Sequence, residues 1–228
     1  MKTARKMNKP FSQAKADQAV VLVHGLWMSR WSFSSIAKHL KYEGYRVYRF
    51  GYKTSRKPFD FNMQKLQAFV NSRTQETVHL VVHSMGGILS MRTLPNIKKT
   101  GKLIMLGSPV NGSQAAHVMS QKKWGAWLLN HAVEPLSNGV IEPAAFRNSC
   151  MIAGTSNSIG ISKLVTKLPE PNDGTVALHE TQADWIDCHT TEKTNHFRML
   201  FHKNTKNRIS EFLSNSKQQD KDYDKSNT

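Results

Sequence analysis

Short runs of apolar residues alternate along this chain with segments whose apolar residues recur at helical spacing. The first run, Ala19–His24, is a continuous β-branched stretch of the kind found in strands covered on both faces. The next segment, Trp31–Glu43, places Ile36 and Leu40 on one helical face and ends at Gly44. This strand-then-helix alternation is typical of a parallel sheet wrapped by helices, a doubly wound α/β domain.

The same alternation continues along the chain and predicts a mostly parallel sheet of about six strands flanked by helices. Three further helices are predicted: one capped by Asp60, one over Met85–Leu94 and a closing amphipathic helix over Lys203–Leu213. The remaining predicted strands are Tyr45–Phe50, His79–His83, Lys102–Leu106, Ser149–Ala153 and Trp185–His189.

Both ends of the chain are polar and charged and show no hydrophobic period. We therefore predict disordered tails over 1–18 and 215–228 around one domain, 19–214. The formal net charge is +16; the first tail carries +4 and the second zero, which leaves +12 on the domain. Such a domain is drawn to anionic surfaces by long-range fields, although a solvated surface that aids solubility is the simpler explanation. No nucleic-acid-reading motif accompanies the charge, so it favours an anionic membrane surface over a specific nucleic acid.

The sequence shows neither the pattern of a secretory signal nor that of a metal site. The basic N-terminus is not followed by an apolar stretch of secretory-signal length, and no run of roughly 18 apolar residues is present to span a bilayer. Cys150 and Cys188 lack a CxxC or CxxH partner, so neither zinc nor a disulfide framework is indicated. We predict that both are buried small hydrophobes and that the protein is cytoplasmic.

The segment Val81–Gly87 joins an apolar strand directly to a helix through His83-Ser84-Met85-Gly86. It resembles the nucleophile elbow of the α/β-hydrolase family, in which a serine sits on a strained strand-to-helix turn. The resemblance implies that Ser84 is the nucleophile, with His83 and Gly86 as supporting motif residues. One position departs from the pattern: Val82 stands where the family usually has Gly and sometimes Ala, and a β-branched residue there narrows the packing.

A second motif, His24-Gly25-Leu26-Trp27, lies at the end of the first predicted strand. In the family that this chain resembles, a His-Gly pair here opens the loop that donates an oxyanion-hole amide. The resemblance implies that the N–H groups of Leu26 and Met85 hold the negative oxygen that develops during acyl transfer.

The acid of a catalytic triad is expected between the serine and the histidine in this fold. The loop Asn172-Asp173-Gly174-Thr175-Val176 follows the predicted strand Ser149–Ala153 and is similar to the acid loop of bacterial lipases and esterases. It implies that Asp173 is the acid. Asp184 and Asp187 are alternatives, but both fall in or beside the last predicted strand, which is more typical of surface residues.

Four of the ten histidines follow Asp173 in the chain. His179 is too near Asp173 for the strand that this fold places between acid and base. His189 lies in the last predicted strand, and His202 begins the last helix, where it can face solvent. His196 lies in the polar loop between that strand and that helix, and loops at strand ends are where active sites assemble. We therefore predict that His196 is the general base.

The segment of about 111–145 does not fit the simple alternation. It is helical in its middle and carries Met119, Trp124, Trp127, Leu128 and Leu129. It is either an ordinary crossover helix packed on the sheet or a small helical cap insertion lining an acyl pocket, in which Met and Trp give adaptable apolar contact.

Together these residues resemble the small bacterial lipase/esterase-like branch of the α/β-hydrolase superfamily over about Val20 to Leu213. The resemblance implies a serine hydrolase that cleaves small-molecule or lipid carboxylic esters through a Ser-His-Asp triad and an acyl-enzyme. It implies no metal and no organic cofactor. The same triad serves thioesterases, amidases and acyltransferases, and a non-catalytic hydrolase-fold protein that binds anionic surfaces is a further alternative.

Overall fold

The computed structural model describes residues 13–140, 145, 147–158, 160 and 165–215, and its strands form one sheet. The strands are β1 (Gln18–Val23), β2 (Arg46–Phe50), β3 (Thr77–His83), β4 (Leu103–Leu106), β5 (Ser149–Gly154) and β6 (Cys188–Glu192). Their order is β2-β1-β3-β4-β5-β6, and all neighbouring pairs are parallel. The predicted six-stranded parallel sheet is confirmed.

Successive residues of the central strand β1 face opposite sides of the sheet, and a separate apolar cluster lies on each side. Ala19, Val21 and Val23 belong to one cluster, whereas Val20 and Leu22 belong to the other. All five are buried. Burial on both faces explains why this strand is apolar throughout instead of alternating with polar residues.

Helices cover both faces of the sheet. One face carries α3 (Phe59–Asn71), α4 (Met85–Thr93), α5 (Gln114–Ser120), α6 (Lys123–Leu129) and α7 (Val133–Asn138). The other carries α2 (Ser34–Tyr42) and the closing helix, which is α8 (Lys203–Ser214). A short helix, α1 (Gln13–Ala16), precedes β1. Among the described residues, no helix combines the length and the apolar character needed to cross a lipid bilayer.

The strand order places the reversal of the chain's winding direction between β1 and β3. The chain moves from β1 outward to β2, and then returns to the other side of β1 to form β3. In open parallel sheets, ligands bind outside the carboxyl ends of the strands at such a switch point. His24 follows β1 and Ser84 follows β3, so both motifs from the sequence lie at this position.

Two predicted element positions are wrong. β6 begins at Cys188, three residues after the predicted start at Trp185, because pairing with β5 and not local apolarity sets the strand. Asp60 lies in the first turn of α3, whose N-cap position is held by Pro58. Because of the helix dipole, an acidic residue is favourable at any position in the first turn, so Asp60 did not mark the N-cap position itself.

The two cysteines are paired, which corrects the expectation of isolated small hydrophobes. Cys150 of β5 and Cys188 of β6 are register partners, and their sulfur atoms form a disulfide. The partners lie 38 residues apart in the chain, so no sequence spacing indicates the pair. Stable disulfides are typical of oxidising compartments, so the cytoplasmic location stays a prediction with one observation against it.

The predicted tails fall largely outside the described residues, which begin at residue 13 and end at residue 215. Within the predicted first tail, Gln13–Ala16 is helical and Gln18 already belongs to β1. Of the predicted cap segment, residues 141–144 also lie outside the described part of the chain, while α5, α6 and α7 occupy the rest.

Candidate active site

Ser84 sits on a strained turn between the last residue of β3 and the first residue of α4. Its backbone torsions are φ 55° and ψ −129°, in a region that residues with a side chain rarely adopt. The turn brings α4 close to the end of β1: a Cβ atom on Gly86 would lie 2.5 Å from the Val23 carbonyl oxygen and 2.7 Å from that of His24. Glycine at position 86 is therefore needed for the close approach of helix and strand.

The departure of Val82 from the family pattern is accommodated within the packing. Val82 is fully buried, yet Ser84 two residues later adopts the strained conformation. A Cβ atom on Gly87 would lie 3.6 Å from Val82 Cγ2, at ordinary contact distance, whereas it would collide with the Ser108 side chain. The valine thus faces a glycine of the following helix, and the elbow forms without a small residue at position 82.

Asp173 and His196 form a buried pair. The distance between Asp173 Oδ2 and His196 Nδ1 is 2.6 Å, and the His196 backbone N–H donates to the Asp173 carbonyl oxygen at 3.0 Å. The second carboxylate oxygen, Oδ1, accepts the backbone N–H groups of Thr175 at 2.9 Å and Val176 at 2.7 Å. Because an ionised carboxylate only accepts, His196 carries its proton on Nδ1, which leaves Nε2 with a free lone pair.

The loop that carries Asp173 is a tight turn built by its neighbours. Asn172 Oδ1 accepts the Gly174 N–H at 2.9 Å, and Asn172 Nδ2 donates to the Pro169 carbonyl at 3.1 Å. Gly174 has φ 87°, in the left-handed region that favours glycine. The Asn-Asp-Gly sequence is therefore what lets the chain reverse at this point and aim the carboxylate at His196.

His83 contacts His196 through a hydrogen bond and through its ring. Its Nε2 atom donates to the His196 carbonyl oxygen at 2.9 Å, and the two imidazole rings are in contact with centroids 4.5 Å apart. Burial lowers the pKa of His83 well below its usual value of 6.5, and the neighbouring His196 lowers it further. His83 is thus a neutral donor, a role that the sequence motif did not specify.

Gly107, which sequence reasoning missed, lies directly beside the Asp–His pair. It follows β4 and has φ 53°. A Cβ atom at this position would lie 3.1 Å from Asp173 Oδ2 and 3.2 Å from His196 Nδ1. Glycine here therefore provides the space in which the hydrogen bond forms. The sequence signal that could have identified this position is Gly107-Ser108-Pro109, directly after the apolar strand β4.

Glu180 was also missed. Its side chain is buried, with Oε1 accepting the Gln114 N–H at 2.6 Å and Oε2 accepting the Ala177 N–H at 2.9 Å. Burial raises the pKa of this carboxyl, and the two N–H donors oppose the shift. Because Gln114 begins α5 and Ala177 belongs to the acid loop, Glu180 ties these two parts of the site together. Glu180 lies three residues after Ala177, the N-cap of a short 3-10 helix over Leu178–Thr181, which is the spacing of a capping glutamate.

The predicted oxyanion loop packs closely against Ser84. A Cβ atom on Gly25 would lie 2.9 Å from Ser84 Cβ. Met28 N–H donates to the Gly25 carbonyl at 3.3 Å, and Trp27 between them has φ 56°. Leu26, which follows Gly25, lines the same pocket as Ser84. Met85, the second predicted donor, begins α4, where first-turn N–H groups have no partner within the helix.

Ser84 and His196 both line one mostly apolar pocket of about 580 Å³, including its open mouth. Five apolar side chains from the 111–145 segment form much of its wall: Ala115, Ala116, Met119, Leu129 and Leu136. The segment contributes to the pocket wall and also packs in the core cluster on the sheet, so the cap interpretation stays a prediction beside the crossover alternative. Trp124 and Trp127 do not line it; they are 51% and 78% exposed.

The histidines and acids that the sequence analysis weighed against His196 and Asp173 make different contacts. His179 and Asp184 are exposed, and His189 is within 2.9 Å of the Thr181 hydroxyl. Asp187 accepts the Ser149 N–H at 2.8 Å and so anchors the start of β5. His202 Nδ1 is 4.0 Å from a carboxylate oxygen of Glu192. Of these candidates, the structure pairs only Asp173 with His196.

The parallel sheet, the strained serine at its switch point and the buried Asp–His pair define an α/β fold of the hydrolase type. The sequence model described as the alpha/beta hydrolase family matches residues 20–197, and the chain belongs to this family. No curated protein sequence matches it.

Solved structures with the same fold include lipases, esterases and a thioesterase. Lipase BlEst2 of Bacillus licheniformis matches with a TM-score of 0.71 and 21% identity over 87% of this chain and 92% of that one. Esterase Pf2001 of Pyrococcus furiosus matches with a TM-score of 0.61 and 19% identity over 86% and 80%. The type II thioesterase BorB, from the borrelidin biosynthetic cluster, matches with a TM-score of 0.60 and 16% identity over 86% and 91%. At these identities the likeness shows the fold alone.

Proposed function

We propose that this protein is a serine hydrolase that cleaves carboxylic esters of small molecules or lipids, with Ser84, His196 and Asp173 as its catalytic triad. The observation that carries the proposal is the 2.6 Å hydrogen bond between Asp173 and His196 beside the pocket that Ser84 also lines. Membership of the alpha/beta hydrolase family supports hydrolase chemistry. The apolar wall of the pocket suits an acyl chain.

In this mechanism His196 Nε2 takes the proton of the Ser84 hydroxyl as its oxygen attacks the ester carbonyl. Asp173 holds the imidazole in the required tautomer and stabilises its protonated form. The negative oxygen of the tetrahedral intermediate is bound by the N–H groups of Leu26 and Met85. Collapse releases the alcohol, which takes the proton from His196, and leaves Ser84 acylated. Water activated by the same histidine then releases the acid.

The apolar pocket also supports a thioester as substrate, because the attack on the carbonyl and the acyl-enzyme are the same. Neighbours of the fold include both esterases and a thioesterase. Comparing kcat/KM for an ester and a thioester of one acyl group distinguishes these activities, and a chain-length series of nitrophenyl esters defines the acyl preference.

Replacing Ser84 with Ala tests the proposal. We expect kcat for nitrophenyl butyrate to fall by about 10³-fold or more, because the nucleophile is lost. Ser72→Ala, which removes an exposed hydroxyl at the end of α3, is the control and should retain activity. A fluorophosphonate probe should label the wild type and not Ser84→Ala. Near-wild-type turnover of Ser84→Ala, or an unlabelled wild type, would overturn the assignment.

A further inference from the structure

A second depression is lined by the Trp27–Met28 turn, as the apolar pocket is. Its volume is about 1120 Å³ including open solvent, and its walls come from the turn after β1 and from the loop after β2 together with α3. Trp27 and Met28 line both this depression and the apolar pocket. The two depressions therefore share the Trp27–Met28 turn as part of their walls, and we call the second depression the basic groove.

The basic groove concentrates positive charge. Arg30, Lys53, Arg56 and Lys65 line it and are exposed, and no Asp or Glu lines it. Within the described part of the chain, none of these four side chains takes part in an ion pair. Asp60, the acidic residue nearest in sequence to the loop, is not part of the lining. No described carboxylate therefore neutralises these cations; Lys65 Nζ donates to the Gly51 carbonyl oxygen at 3.0 Å and keeps further N–H donors for an anion.

The loop that carries Lys53 and Arg56 is fixed to the turn beside the nucleophile. The Tyr52 hydroxyl donates to the His24 carbonyl oxygen at 2.8 Å, and the two rings stack with centroids 4.6 Å apart. The buried Thr54 accepts the Trp27 N–H at 3.1 Å through its hydroxyl oxygen. These contacts fix the backbone that carries Lys53 and Arg56 against the turn next to Ser84, as a substrate subsite requires.

Arg30 is held by its own packing. Its guanidinium lies 5.3 Å from the centre of the Trp31 ring, and its side chain runs along Gly51, where an added Cβ atom would lie 3.5 Å from Arg30 Cδ. A guanidinium placed in this way presents a planar set of donors, which matches the oxygens of a phosphate, sulfate or carboxylate.

We propose that the basic groove binds an anionic group on the alcohol part of the ester, so that the preferred substrates are acyl esters of a phosphorylated or otherwise anionic alcohol. The inference rests on the proposed function and specifies its substrate class. The acyl chain occupies the apolar pocket, the carbonyl lies at Ser84, and the alcohol passes over Trp27 and Met28 so that its anion meets the groove cations. Nothing in the apolar pocket itself selects for such a charge.

Two soluble esters that differ only in the phosphate test this inference: 1-butyryl-glycerol and 1-butyryl-glycerol 3-phosphate. The measured quantity is the charge preference, defined as kcat/KM for the phosphate ester divided by that for the neutral ester. We expect a preference of about tenfold or more at low salt, decreasing as ionic strength rises, because exposed charges are screened. We expect the double substitution Lys53→Glu/Arg56→Glu to lower the preference at least about tenfold.

Lys98→Glu is the matched control, because Lys98 is an exposed lysine between α4 and β4, at the opposite end of the strands. It should leave the preference unchanged. A wild type that hydrolyses both esters equally, or a preference that the double substitution does not change, overturns the groove proposal but not the proposed function. A wild type that hydrolyses neither these esters nor nitrophenyl butyrate overturns the proposed function. Equal hydrolysis of the two soluble esters combined with groove-dependent binding to phosphatidylglycerol vesicles assigns the groove to a membrane surface and overturns the substrate subsite.

Discussion

The two sides of the candidate active site are held in place by different means. On the nucleophile side, backbone conformation dominates: Ser84 and Trp27 have positive φ, and Gly25 and Gly86 permit the close approach of neighbouring chains. On the acid–base side, hydrogen bonds dominate. Asp173 alone accepts three hydrogen bonds through its carboxylate oxygens.

This difference determines how each side responds to substitution. A nucleophile held by local backbone geometry depends on a few consecutive residues. His196, which is held by hydrogen bonds, depends on residues from three separate strand ends and loops, those of His83, Gly107 and Asp173. We therefore expect substitutions far from position 196 in sequence to disturb the base. Substitutions on the two sides test that asymmetry.

Asp173→Asn is expected to lower kcat by about 10³- to 10⁴-fold, because an amide cannot accept from Val176, Thr175 and the imidazole as the carboxylate does, and His196 then loses its tautomer. Asp187→Asn is the matched control: Asp187 accepts the Ser149 N–H at 2.8 Å, away from the site. It should change the free energy of unfolding and leave kcat intact. Steady-state kinetics and thermal unfolding of both variants decide the matter, and equal loss of kcat in the two would contradict a specific role for Asp173.

Gly107→Ala is expected to lower kcat about 10²-fold, because the new Cβ would press on Asp173 Oδ2 and His196 Nδ1 and displace the base by a fraction of an ångström. Gly44 also has positive φ, at 102°, but lies after α2, away from the site. Gly44→Ala should cost about 1–2 kcal/mol of folding free energy through backbone strain and spare kcat. If both alanine variants lose stability and neither loses kcat, Gly107 serves the fold alone.

His83→Phe is expected to lower kcat about tenfold with little change in KM, because the His196 carbonyl loses its donor and the loop carrying the base relaxes. His83→Gln keeps a donor within reach and should restore part of the loss. If kcat of the phenylalanine variant is unchanged at a temperature where it is folded, the ring contact alone, without the hydrogen bond, is enough to hold His196 in place.

Each side contains a buried histidine whose pKa is lowered by burial: His24 on the Ser84 side and His83 on the His196 side. Burial lowers the pKa of His24 below its usual value of 6.5, with the hydrogen bond to the Gly25 carbonyl opposing the shift. Below pH 6.5 the unfolded chain therefore binds a proton that the folded chain does not, and the free energy of unfolding falls. Compared with His24→Phe, the wild type should lose up to about 2 kcal/mol between pH 7.5 and 5. Urea unfolding at several pH values measures this, and a difference between the two proteins that stays constant would contradict it.

Local sequence predicted those parts of the molecule that neighbouring residues build. The strands β1, β3, β4 and β5 are largely apolar because both of their faces are covered, and they were found within two residues of their ends. The edge strand β2 was found equally closely although it carries Arg46 and Arg49. β6 was displaced, because its residues are polar and their burial alternates, so no apolar run marks its position. The positions of Ser84, Asp173 and His196 in motif and loop sequences were readable, and their catalytic roles stay predictions.

The partners that hold the site were not readable, because they lie far apart in the chain. Gly107 contacts the Asp–His pair only after β4 is placed next to β3 and β5, and Glu180 finds Gln114 only when the acid loop meets α5. The cysteine pair has the same origin, since the register of two strands brings Cys150 to Cys188.

The sequence alone determined the α/β alternation and the turn chemistry around Ser84 and Asp173, because both depend on residues a few positions apart. The pairing of His196 with Asp173, the extent of the apolar pocket and the start of the basic groove depend instead on tertiary structure. They follow from the order and register of parallel strands, which bring together side chains that lie between 23 residues (Asp173 and His196) and 113 residues (His83 and His196) apart in the chain.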